Sequence, residues 1–155
     1  MTPKFRAWDR TRNEMNYRVM VGNCDTNDEN WTCPSIWVED KQRWVHFDDY
    51  DCIMQSTGLR DKNGKEIFEG DIIRTSAYGC IVGFGEYTYF EDENTPTTEI
   101  GFHLSFLNVT PATYAPFDKY YCDNCEVIGN IYENELDLIM YEVYKYNKET
   151  SEDKE

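Results

Sequence analysis

The stretch MQSTGLRDKNGKEIFEGDIIRT, Met54 to Thr75, surrounds one Asn-Gly step with charged residues and ends on a bare apolar pair. Asn63-Gly64 supplies the left-handed backbone positions that a tight turn needs, so the segment reads as a β-hairpin. Its charges choose the register. A two-residue loop would set Lys62 against Lys65 and Asp61 against Glu66, two repelling pairs across the strands. A type I turn beginning at Asp61, with Gly64 in the bulge position, instead pairs Asp61 with Lys65, Arg60 with Glu66 and Leu59 with Ile67. Each pair is worth only roughly 0.2–1 kcal/mol, but all three favour one register and a slip loses them together. Beyond it, Glu69-Gly70-Asp71 turns the chain again and releases Ile72-Ile73 into a new strand.

Outward from this hairpin the chain reads as short strands separated by turn signals. Lys4 to Trp8, Met15 to Val21, Ser35 to Val38, Arg43 to Phe47 and Cys52 to Thr57 precede it. After it come Asp71 to Thr75, Cys80 to Phe84, Tyr87 to Phe90, Ile100 to Leu107 and Glu126 to Tyr132, the pattern of a small barrel. Polar GNCDTNDENWTC, acidic EDENTPTT (Glu91 to Thr98) and Pro-containing TPATYAPFDK (Thr110 to Lys119) read as loops. The period then changes. Leu136, Ile139, Met140, Val143 and Tyr144 fall at i, i+3, i+4, i+7 and i+8, the apolar stripe of a helix capped by Asn134, available to the protein's own barrel or to a partner subunit.

The run TGLRDKNGKEIFEGDII resembles the signature of the YopX-like proteins, a family met in phages and prophages of Gram-positive bacteria. KFRAWD at Lys4 to Asp9 and VIGNIYEN at Val127 to Asn134 fit the same pattern in the same order, and the three motifs span nearly the whole chain. The resemblance implies a mostly β protein with a small SH3-type barrel in its C-terminal part, assembled from several copies. It implies no activity. The expected organisation is an N-terminal β-rich region over 1–57, an SH3-like barrel region over 58–133, a C-terminal helix over 134–146 and a frayed tail over 147–155.

Composition sets independent bounds. The 155 residues suffice for a real core, and twelve Tyr, eight Phe and four Trp favour strands over disorder. Thirty acidic against fifteen basic residues give a formal net charge of −15, which repels phosphate backbones and points to a basic protein surface as the complement. Charges interrupt the N-terminal MTPKFRAWDR where a secretory signal needs its apolar core, and no stretch approaches the roughly 20 apolar residues that span a bilayer. The expected location is the host cytoplasm, with no membrane partner. Six cysteines there are expected as reduced thiols.

Catalytic signals are thin. Cys122 and Cys125, in CDNC, have the spacing of half a zinc site, but Cys24 and Cys33 have eight residues between them and offer no matching knuckle. No metal or other cofactor is expected. GFGEYT at Gly83 begins like a dinucleotide fingerprint, yet Thr88 stands where its third glycine belongs, so it reads as a strand bend. His46 and His103 alternate within strands without a nucleophile motif. Arg60, Lys62, Lys65 and Arg74 are the clustered cations from which an anion site could be built. The chain is therefore expected to be a non-enzymatic phage or prophage accessory protein. As a homo-oligomer it would bind a host component in phage–host conflict, for anti-defence or host takeover. Two alternatives stay open: an acidic nucleic-acid mimic blocking a host nuclease or DNA-binding protein, and a sponge sequestering a small nucleotide signal.

Overall fold

A carboxylate beside an Asn-Gly step invites the backbone to close on it, and the hairpin does so. In the computed structural model, which describes residues 3–22, 34–76 and 78–134, the Gly64 N–H donates to Asp61 O at 3.0 Å and the Asp61 N–H to Lys65 O at 2.8 Å. That is the type I turn with Gly64 following it. Gly64 has φ +84°, and nothing lies within 4 Å of where a Cβ would stand. Asp61 is nearly buried. Its Oδ1 accepts from the Asn63 and Lys65 N–H groups, each at 2.9 Å, and its Oδ2 accepts from the Val127 N–H at 2.9 Å.

The protein is mainly β, its paired strands antiparallel, and it divides into two units, Met1–Gly58 and Leu59–Glu155. In the first unit β1 (Phe5–Asp9) pairs with β2 (Glu14–Asn16) and with the start of β6 (Ile53–Arg60). β4 (Ser35–Val38) lies between β3 (Val19–Met20) and β5 (Arg43–His46). Ala7, Trp8, Ile36, Val38, Phe47, Cys52 and Met54 are its buried apolar residues. The single strand expected over Met15 to Val21 is broken, because the Asn16 side chain accepts from the Arg18 N–H at 2.8 Å and turns the backbone there. At the end of β1 the buried Asp9 carboxylate accepts from the Thr11 and Arg12 N–H groups and from the Arg12 guanidinium.

In the second unit the hairpin returns as β7 (Glu66–Phe68) and leads into β8 (Asp71–Arg74). A five-stranded sheet follows in the order β11-β10-β9-β8-β12, formed by β8, β9 (Gly79–Asp92), β10 (Thr95–Phe106), β11 (Tyr114–Pro116) and β12 (Glu126–Asn130). Its core is Ile67, Ile73, Cys80, Val82, Leu104, Cys122, Cys125 and Val127, with Phe102 and Phe106 packed against it as their alternation with Leu104 predicts. At the end of β12 the Asn130 Oδ1 accepts from the Tyr132 and Glu133 N–H groups.

Three expectations change here. Cys80 to Phe84 and Tyr87 to Phe90 are one strand, since Gly85 bends β9 without ending it. The acidic segment Glu91 to Thr98 is no loop: the chain reverses tightly between Asp92 and Thr95. The Asp92 carboxylate accepts from the Asn94 N–H and the Thr95 hydroxyl, and Thr98 bonds Thr88 across the strands at 2.8 Å. Thr110 to Lys119 contains β11 and runs into α1 (Lys119–Asn124), capped by the Asp118 carboxylate on the Tyr121 N–H. The expected C-terminal helix, with its stripe Leu136, Ile139, Met140, Val143 and Tyr144, and the tail lie outside the described residues apart from Asn134. Among the described residues no helix is long and apolar enough to cross a membrane.

Two substitutions test the hairpin. Gly64→Val meets open space but a left-handed backbone, so it should destabilise the fold by on the order of 1 kcal/mol or more; an unchanged thermal midpoint would remove the turn assignment. Asp61 carries a pH signature. Burial pushes its carboxyl up, but the hydrogen bonds from Val127, Lys65 and Asn63 together outweigh burial and hold the pKa below the ordinary value. A depressed folded pKa contributes stability above the unfolded value and loses it as pH falls through the folded one. Asp61→Asn should therefore melt well below wild type at neutral pH, with the gap narrowing in acid. A gap independent of pH would contradict the charged carboxylate.

Candidate functional site

The four cations expected to cluster do so only in part. Lys62 and Arg74 line a cleft of about 380 Å³ together with Thr75, Asn124, Asp123 and Glu126. Arg74 Nη2 sits 3.2 Å from Glu126 Oε2. Among the described residues Arg60 and Lys65 take no part in that lining; Arg60 Nη1 donates to Gly64 O at 2.9 Å on its own turn. Two carboxylates in the same wall offset the two cations, so the cleft offers a phosphate little net attraction.

The CDNC pair is built into the core. Cys122 on α1 donates its thiol to Asp118 O at 3.2 Å, and Cys125 donates to Cys122 O at 3.6 Å. Burial, reinforced by Asp123 and Asp118, pushes the Cys122 thiol to about 11. Burial, with Cys122 and Asp61 adding to it, pushes Cys125 to about 12, and burial beside Cys125 takes Cys80 to about 12. Thiols held protonated are poor nucleophiles and poor metal ligands. Among the described residues no three His, Cys, Asp or Glu side chains gather as a metal-binding group.

A second concavity, of about 590 Å³, lies along β9 and is lined by Phe84, Glu86, Tyr87, Thr88, His103 and Tyr114. It exists because glycines clear the sheet. Gly85 faces Gly101 across the β9–β10 ladder, and Gly83 faces His103. A Cβ on Gly83 would stand 2.8 Å from His103 Nε2, so the imidazole rests on bare backbone. His103 Nδ1 donates to Gly101 O at 3.1 Å. Tyr87 leans over to stack on the imidazole, centroids 4.7 Å apart and 24° between planes, and Tyr114 meets the same ring edge-on at 6.0 Å. The Tyr87 hydroxyl donates to Glu99 Oε2 at 3.0 Å and the Tyr89 hydroxyl to Oε1 at 3.4 Å. Burial first, then the bond to Glu99, pushes the Tyr87 phenol to about 12, so it stays protonated at neutral pH. The wall is therefore a fixed aromatic surface with carboxylates beside it. Sequence reading treats GFGEYT and His103 as strand features, which they are. It misses the groove, whose only sequence signal is glycine at 83, 85 and 101 among strand aromatics.

Thiol accessibility checks the core assignment. In native protein at about pH 8, near the unperturbed thiol pKa, peptide-resolved mass spectrometry should find Cys80, Cys122 and Cys125 unmodified by iodoacetamide after times that label them fully in denaturant. Rapid native labelling of Cys122 or Cys125 would contradict their burial.

No curated protein matches this chain. Among solved structures it is similar to the crystal structure of protein EF1440 from Enterococcus faecalis, at 28% identity and a TM-score of 0.52, over 89% of this chain and 99% of that one. The family model of the YopX protein matches residues 4–137. With that match covering all three motifs, the chain belongs to the YopX family.

Proposed function

We propose that this is a non-enzymatic phage or prophage accessory protein, acting in the host cytoplasm, that binds a host protein during phage–host conflict. The observation that supports it is the β9–β10 arm. Its cross-strand face carries Phe84 49%, Phe90 63% and Ile100 77% exposed, side chains whose hydration is costly unless something covers them. We read the second unit as an SH3-type barrel from which this arm extends, and the apolar stripe after Asn134 as the means of homo-oligomer assembly. The nucleotide sponge is less well supported, because Lys62 and Arg74 share their cleft with Asp123 and Glu126. The mimic has less support as well, since several carboxylates, Asp9, Asp61 and Asp71 among them, are buried and accept backbone hydrogen bonds in turns, so they present no charge to a basic groove.

The arm is tested by the double variant Phe90→Ser/Ile100→Ser, both positions exposed enough to leave stability nearly unchanged. Affinity capture from host cells, followed by calorimetry with the purified partner, should show at least about tenfold weaker binding for the variant, the loss expected when apolar anchors leave an interface. Equal binding would dissociate the arm from the function. Assembly is tested separately by a chain ending at Asn134. Light scattering should give a smaller particle with unchanged β-sheet circular dichroism, and an unchanged mass would remove the terminal stripe from the assembly.

A further inference from the structure

The groove along β9 has a chemistry more specific than the apolar face of the arm. Five consecutive residues of β9, Phe84 to Thr88, border it. Among the described residues β8 pairs with β9 only over Gly79–Ile81, so from Gly83 outward the strand has β10 on one side and an open edge on the other. An open edge offers unpaired N–H and C=O groups to an extended chain. The occupant's charge is set by the surroundings. Between Ser76 and Phe117 there is no Lys or Arg, whereas Glu86, Glu91, Asp92, Glu93 and Glu99 all lie on the arm. A second copy brought edge to edge would oppose these carboxylates with its own, and a nucleic acid would oppose them with phosphates. A basic strand neutralises them.

We propose that this groove and the adjoining edge of β9 dock an extended, arginine-bearing segment of a partner protein, one guanidinium lying among Tyr87, His103 and Tyr114 with its charge toward Glu99. The inference rests on the host-protein reading above and names the chemistry of that partner. Aromatic faces attract a planar cation, guanidinium above ammonium because it also stacks, and Glu99, paired with Tyr87 on the same face of the ladder and accepting its hydroxyl, supplies the counter-charge. Tyr87 is already held by the imidazole on its face and Glu99 at its hydroxyl, so little ordering is left for binding to supply.

The test uses the full-length protein and a fluorescein-labelled nine-residue peptide of alternating Arg and Thr, with Lys-for-Arg and Gln-for-Arg counterparts, read by anisotropy at about 0.15 M salt, where long-range attraction is largely screened. The Arg peptide should bind more tightly than the Lys peptide and far more tightly than the Gln peptide. Glu99→Gln, which keeps an acceptor for the Tyr87 hydroxyl but removes the charge, and Tyr114→Ala should each weaken it by at least about fivefold, the scale of one cation–π or charge contact, while Tyr114→Phe, which keeps the ring, should bind like wild type. Circular dichroism and thermal midpoints confirm that the variants are folded; a Tyr114→Ala that fails to fold leaves the decision to Glu99→Gln. Equal affinity of wild type and Glu99→Gln for the Arg peptide overturns the proposal, as does equal binding of the Arg and Gln peptides. That failure is distinguishable from failure of the host-protein reading, which stands or falls on the Phe90/Ile100 variant.

Discussion

One carboxylate holds together parts of the chain that sequence keeps far apart. Asp61 accepts two hydrogen bonds from its own hairpin, from Asn63 and Lys65, and a third from Val127, at a sequence separation of 66 residues. Burying a charged carboxylate is costly unless donors surround it, and three backbone N–H groups provide that surrounding while having their own donors satisfied. The hairpin and β12 are thereby fixed to each other, and the Lys62 N–H bond to Cys125 O at 3.0 Å continues the same seam. β12, held at this seam, pairs with β8, and β8 pairs in turn with β9.

The same device recurs where the family motifs lie. Asp9 closes the turn after β1, Asp71 receives the Phe68 N–H at 2.8 Å, and Asn130 gathers the N–H groups of Tyr132 and Glu133. Short polar side chains suit these places because they reach a backbone donor two or three residues away with few rotors to freeze. Part of the charge of −15 is therefore structural, spent on turns inside the fold. What is free for recognition is the remainder, and on the arm it is one-signed.

How much of this could be read in advance followed from locality. The Asp61–Gly64 turn was legible because every residue that decides it lies within five positions, and the cross-strand charges left one register unopposed. The arm was not, because Glu91 to Thr98 has the composition of a loop, and only pairing with Tyr87 to Phe90 makes Thr97 and Thr98 strand. Six-residue α1 was hidden for a similar reason: a helix of under two turns has no hydrophobic period to detect, and its stability comes from the Asp118 cap and from burial of Cys122. For the cation cluster, sequence proximity was a poor guide. Lys62 and Lys65 are three apart on a tight turn, which sends their side chains to different surroundings, while Arg74 arrives beside Lys62 from another strand. The aromatic groove required knowing that Gly85 faces Gly101, a fact of register that no window of sequence contains.

The bare acidity of the arm also governs how it can be observed. Trypsin cuts after Lys and Arg, and beyond Arg74 the next such residue is Lys119. Strands β9, β10 and β11, the aromatic groove and the exposed Phe90 and Ile100 therefore all leave on one long, acidic tryptic fragment. A footprint of any partner on this face will be averaged over that fragment, and mapping it residue by residue calls for a protease that cleaves at carboxylates or aromatics.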